Sequence, residues 1–169
     1  MSKSPGSFAA LLAGALVSAA FAQPAAAASA PARPASADAG LRFVDPPGLA
    51  SPAGYTHVVV APAGRTLYLS GQIAFDRAGK LVGANDFAAQ AQQVFANLDT
   101  ALKGAGADFS HVVKLTMYVT DMSQLQALRA ARDRYIDRAH PPASTLVEVR
   151  RLARDGLLLE VDAIAVVPD

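Results

Sequence analysis

The chain has 169 residues, a formal net charge of +1, 52% hydrophobic residues and no cysteine. That length and apolar content suit a single domain with a sizeable core, and the missing cysteine excludes disulfides, thiolate nucleophiles and cysteine-held zinc. The near-zero charge gives no bulk attraction to nucleic acid or to an anionic membrane, although seven arginines between Arg129 and Arg154 make the last third locally basic.

Residues 1–22 read as a secretory signal peptide. Lys3 supplies the positive start, an apolar stretch runs from Phe8 to Phe21, and the small-x-small pattern Ala20-Phe21-Ala22 precedes Gln23. The stretch is shorter than the ~20 residues of a comfortable membrane span. The mature protein is therefore expected to be periplasmic or secreted, with no membrane attachment after cleavage. Residues 23–40, mostly Ala, Pro and Ser, read as a linker that cannot bury enough surface to order itself, and residues 41–169 as one domain.

Within that domain, Thr56 to Val60 and Thr66 to Ile73 are β-rich runs joined by "APAG" and followed by the turn "DRAGK", which predicts an antiparallel meander. The period then changes. Phe87, Ala91, Val94, Phe95, Leu98 and Leu102 recur at three and four, Asn85 or Asp86 can cap the start and Gly104 the end, so an amphipathic helix is predicted. "HVVKLTMYVTD" alternates as a half-buried strand, with Val113, Leu115, Met117 and Val119 on one face and Lys114, Thr116 and Tyr118 on the other. A second helix is predicted from Asp121, with Gln124 completing a capping box, to about Ala139, before Pro141 and Pro142. "PASTLVEV" and "LLLEVDAIAVV" supply the last strands. The order β-β-β-α-β-α-β-β predicts an α+β fold, a mixed sheet covered on one face by two helices.

At 100° per residue, Leu125, Leu128, Tyr135 and Ile136 of the second helix share an arc with Arg129 and Arg132. Arginines on such an arc either pack their stems and pair at the surface, or reach an anion in a cleft. Two acids are equally placed for a partner: Glu160 and Asp162 share a strand face with Leu158, Ile164 and Val166, Asp162 being expected to pair with an arginine of the neighbouring helix. Glu148 and Arg150 are expected to pair across their strand face. Ser144 and Thr145, at the entry to "PASTLVEV", offer neutral hydrogen bonds to a ligand or simply suit a strand.

Familiar catalytic motifs are missing. "GAGAD" follows a helix and lacks a third glycine, no P-loop lysine occurs, and Ser70 in "YLSGQ" lacks a nucleophile elbow. His57, His111 and His140 are not at ligand spacing, so no metal is expected, and His140 is expected to face helix C-terminal carbonyls.

"PAGYTH", "LYLSGQIAFD", the helix from Phe87, the spacing to "RYIDRAHPPASTLVEV" and the ending "LLLEVDAIAV" together resemble the RidA family of reactive-intermediate deaminases, also called the YjgF family, across about residues 41–167. The resemblance implies a chorismate-mutase-like protomer and a homotrimer with an inner barrel of sheets and three clefts between subunits. It implies hydrolysis of 2-imino acids to 2-keto acids and ammonia without a cofactor. Tyr55, Ser70 and Gly71 would contact substrate, and Glu160 would activate water.

One position departs from the pattern. Where active deaminases carry an arginine for the substrate carboxylate, this chain has Ser144, and a hydroxyl cannot replace two parallel charge-assisted bonds. The departure argues against deamination of the 2-iminobutanoate/2-iminopropanoate type unless another cation serves. Arg129 falls where active members carry an asparagine near the cleft, and is the candidate. The leading expectation is thus a protein hydrolysing or binding a small imine or enamine, the alternative a non-catalytic binding or sensing module on the same fold. No nucleic-acid partner is expected.

Overall fold

The computed structural model describes residues 40–169; the expected signal peptide and all of the linker but Gly40 lie outside them. Six strands and two helices follow in the order β1 (Arg42–Val44), β2 (Val58–Val60), β3 (Gly64–Gln72), α1 (Phe87–Gly104), β4 (Val112–Val119), α2 (Leu125–Arg132), β5 (Ala143–Glu148) and β6 (Leu159–Pro168). The order of strands and helices is the expected one. β3, β6, β4 and β5 form a mixed sheet in that spatial order, with β4 and β5 parallel and the other pairs antiparallel. β1 and β2 form a separate two-stranded ladder.

That ladder corrects the predicted meander. β2 does not turn back onto β3; it pairs with β1, while β3 pairs with the C-terminal strand β6. Gly64 opens β3 with its α-carbon so close to the Val167 carbonyl that any Cβ would collide with it. The strand is thereby committed to a long-range partner.

α1 begins where its spacing predicts. Asp86 caps it, its carboxylate accepting from the Ala89 N–H at 3.0 Å, and the run Ala91, Val94, Phe95, Leu98 and Leu102 is completely buried. These side chains pack on Leu115, Met117 and Val119 of β4 and Leu159, Val161, Ala163 and Ala165 of β6, the face of the sheet turned toward the helices. Alternation assigns the opposite face to Lys114, Thr116, Tyr118, Glu160, Asp162 and Ile164, all half-buried. On β4 the burial differs at one place: Val112 is buried and Val113 only half-buried. The ladder skips a residue between Val112 and Lys114, and this bulge moves Val113 off the face it was assigned.

α2 is shorter than its sequence suggests, ending at Arg132 rather than near Ala139. The prolines do not stop it; tertiary contacts do. The buried Arg132 guanidinium binds the Asp133 carboxylate at 2.7 and 2.9 Å and the Gly54 carbonyl at 2.9 Å. Beyond it the Tyr135 and Ile136 N–H groups fold back onto the Arg132 carbonyl as a looser turn. Tyr135 still reaches the core, stacking on Phe95 at 5.9 Å between centroids. The capping box at its start is only half formed: Asp121 accepts from Ser123 N–H, but the Gln124 amide bonds the Asp121 carboxylate rather than its backbone.

One buried polar residue ties the loops over α1. Gln90 is fully buried, donates to the carbonyls of Gly83 and Gly156 at 3.1 and 2.7 Å, and accepts from the Leu158 N–H at 2.9 Å. All its hydrogen-bonding atoms are thus used on backbone that has no ladder partner of its own. Among the described residues no helix is long and apolar enough to cross a membrane.

Candidate functional site

Tyr55, Arg129 and Ser144, distant in sequence, line one cavity of about 230 Å³. Its floor is apolar, built from Met117 of β4, Leu125 and Leu128 of α2, and Leu146 of β5. Ser144 stands opposite Leu115 in the parallel β4–β5 ladder and so takes the helix-facing side. That side is where α2 presents Arg129. Of the two arginines on the apolar arc of α2, only Arg132 is buried; Arg129 is exposed and makes one hydrogen bond, to the Ala53 carbonyl at 3.3 Å, which leaves donors for a ligand.

Tyr55 is held by a loop pinned at several points. The Thr56 hydroxyl donates to the Pro141 carbonyl at 2.6 Å, the His57 N–H donates to Asp45 at 2.8 Å, and the His57 ring meets Tyr55 edge-on at 5.3 Å. Gly54 supports the same loop from a left-handed conformation (φ +81°) with Arg132 pressed against it. Arg132 is thus a positioning residue: it carries the loop bearing Tyr55, and the buried arc of α2 was the signal for it.

The remaining candidates lie elsewhere. Ser70 and Gly71 sit in a bulge of β3, between the Leu69–Ala163 and Gln72–Val161 pairs. The Glu160 side chain lies over Gly71: a Cβ there would fall 2.8 Å from Glu160 Cδ and collide with Oε1. The glycine is therefore the space in which the carboxylate rests. Bulges re-aim side chains at sites of this kind. Glu160 has no ion pair or hydrogen bond within the described chain. Thr145 points to the same open face, not to the cavity of Ser144, and accepts from the Lys114 ammonium at 2.6 Å. The single chain therefore assembles Tyr55, Arg129 and Ser144 in one place and Ser70, Gly71 and Glu160 in another.

Three expected pairings are replaced. Asp162 faces away from α2, opposite Thr116, so no helix arginine reaches it. Glu148 accepts from the Met122 N–H at 2.7 Å, capping the short helical turn Met122–Gln124, instead of pairing with Arg150. His140 meets the Asp137 carboxylate at 2.8 Å and the Phe43 ring at 5.3 Å, because α2 ends too early to offer it carbonyls. Among the described residues no group of three or more His, Asp or Glu side chains is placed to hold a metal ion.

A mixed sheet backed by two helices, with an arginine-lined cavity at one edge and an unpaired carboxylate on the open face, defines an α+β protein. The chain belongs to the endoribonuclease L-PSP family, the RidA/YjgF family, whose model matches residues 48–167. It is 41% identical over 112 residues to Protein DfrA of Myxococcus xanthus, spanning 66% of this chain and 84% of that one. It is 33% identical over 102 residues to the 2-iminobutanoate/2-iminopropanoate deaminase of Capra hircus, spanning 60% and 73%. Among solved structures it resembles a Rid-family protein of unknown function from Yersinia pestis, with TM-score 0.68, 37% identity, and coverage of 76% of this chain and 99% of that one.

Proposed function

We propose that this protein is an exported RidA-type homotrimer that holds a small, carboxylate-bearing imine or enamine between subunits and hydrolyses it by water addition. Arg129 holds the carboxylate in place of the arginine that Ser144 displaces, Tyr55 and Ser144 orient the ligand, and Ser70, Gly71 and Glu160 of a neighbouring subunit face it across the cleft. The observation that carries this reading is that Arg129 lines the same cavity as Ser144 and Tyr55, so a cation is available at the edge where the strand lacks one. The deaminase relative supports the reaction class. A cavity of about 230 Å³ suits a small molecule rather than a polymer.

In this scheme Glu160 takes a proton from water as the oxygen adds to the C=N carbon and passes it to the nitrogen; the new hydroxyl then gives its proton, through Glu160, to the nitrogen, the C–N bond breaks, and ammonia leaves as the keto group forms. Trimer formation is required, because the two halves of the site are apart in one chain. The test is the hydrolysis of 2-iminobutanoate, generated in situ, by mature protein whose trimeric mass is checked by sedimentation. Glu160→Gln is expected to lower turnover by about 10²- to 10⁴-fold without changing the mass. Stoichiometric binding with no turnover by wild type would instead support a sensing module. Export is checked by fractionating cells and sequencing the mature N-terminus.

Gly71→Ala gives a separate prediction. The backbone at Gly71 needs no left-handed conformation, so alanine is permitted there, and strand stability should stay within about 1 kcal/mol. The new methyl nevertheless occupies the place of the Glu160 carboxylate. A displacement on the order of 1 Å is expected to cost about a hundredfold in turnover, with an unchanged melting temperature.

A further inference from the structure

A second cavity, of about 340 Å³, lies where the β1 strand, the start of β4, the end of β6 and the segment after α2 converge. It shares no lining residue with the cavity of Tyr55, Arg129 and Ser144. Its inner wall is apolar: Phe109, Val112, Ile136 and Val166 are all buried. Its mouth is polar, with the Asp137 and His140 side chains 62% and 60% exposed. The volume falls within the ~300–1,000 Å³ of ordinary ligand sites, and an apolar interior with a few convergent polar groups is the usual build of one.

The lining of this cavity holds one carboxylate, Asp137, and no lysine or arginine. His140 holds Asp137 through Nδ1 at 2.8 Å, and His111 holds Asp108 through Nδ1 at 3.0 Å. With the proton on Nδ1, a neutral His140 ring turns an accepting Nε2 outward, with no partner within the described chain; His111 differs, its Nδ1 also taking the Asp108 N–H at 3.3 Å. Asp137 also accepts from the Ala139 N–H at 2.8 Å, which fixes its carboxylate at the mouth with lone pairs to spare. Phe43, tilted on His140 at 5.3 Å, adds an aromatic wall. An imidazole acceptor and a carboxylate outside, aromatic and aliphatic carbon inside, complement a ring-bearing molecule with a cationic head.

We propose that this cavity is a second small-molecule site that takes an aryl-alkyl amine, its ring against Phe109, Ile136 and Phe43 and its ammonium on Asp137 beside the His140 imidazole. The site is independent of the imine-handling cleft, which presents arginine and suits an anion. The two cavities thus select opposite charges.

The experiment uses the mature protein and 2-phenylethylamine, followed by backbone and methyl NMR, with 3-phenylpropanoate as a comparison of similar shape and opposite charge. The amine is expected to shift signals of Phe43, Ile136, Val166 and His140, and the acid is not. Asp137→Asn should weaken amine binding about fivefold, as loss of an exposed charge contact does. Phe43→Ala should weaken it by up to about tenfold through the aromatic contact. Equal binding of amine and acid, shifts confined to the residues around Tyr55 and Arg129, or unchanged affinity in both variants would overturn the proposal. Since Asp137 is exposed, its variant is expected to fold, and Phe43→Ala provides an independent arm if it does not.

Discussion

Replacing Arg129 with alanine is expected to weaken the hold on a carboxylate ligand by about tenfold to a hundredfold or more, and adding Ser144→Arg to that variant is expected to restore it. Hydrogen bonds to charged groups contribute ~1.5–3 kcal/mol, and each 1.4 kcal/mol is a factor of ten. Arg129 qualifies because its guanidinium is committed to a single carbonyl, 3.3 Å away, and otherwise faces the cavity. Ser144 is the position from which a strand arginine would enter the same space, and removing Arg129 relieves the like-charge crowding such a residue would meet. Titration of 2-ketobutanoate by calorimetry reads the affinity, and in situ hydrolysis of 2-iminobutanoate reads the turnover. Full activity of Arg129→Ala would refute the compensation. Activity in Ser144→Arg alone, with an inert wild type, would mean that the cleft is intact and its natural ligand is something other than a free 2-imino acid.

Gln90→Leu is expected to lower stability by about 3–5 kcal/mol. Leucine matches the buried volume but leaves the Gly156 carbonyl and the Leu158 amide without partners, at ~1–3 kcal/mol for each orphaned group, and strips the Gly83 carbonyl of one of its two donors, the Asp86 N–H remaining. For a domain of this size the melting temperature should fall by about 10–20 °C. Gln92→Leu, on the exposed side of the same helix, should leave it nearly unchanged. A small effect at Gln90 would show that the two loops it joins find other partners. The same contact fixes the approach to β6, so Gln90→Leu should also lower the turnover proposed to depend on Glu160.

The parts of the molecule that were legible in the sequence are those decided locally. α1 followed from the three-and-four spacing of its apolar residues and from Asp86, and both faces of β6 from strict alternation. What the sequence did not disclose was decided by contacts between distant residues. The early end of α2 depends on Gly54, which is 78 positions from Arg132. The β1–β2 ladder and the bulge at Val113 depend on pairing partners that no local pattern specifies. For the site, the arc of α2 marked both arginines, but only the fold separates the buried Arg132 from the exposed, cavity-lining Arg129. Ser144 and Thr145, adjacent and chemically alike, are sent to opposite faces by the pleat.

That pleat makes β6 a strand with two independent obligations. Its odd-numbered residues from Leu159 to Ala165 fill the core, and Glu160 and Asp162 between them carry the charge of the open face. A shift of one residue in its pairing would exchange the two sets. Glu160 would be driven among Phe95 and Leu98, and Val161 would be left on the open face. Length changes in the chain are therefore tolerable in the turn-rich stretch 150–155, before the Gly156 and Leu158 bonds to Gln90, and ruinous after it. A single inserted residue in the final strand would displace Glu160 from the open face and break the core together, even though every original side chain were still present.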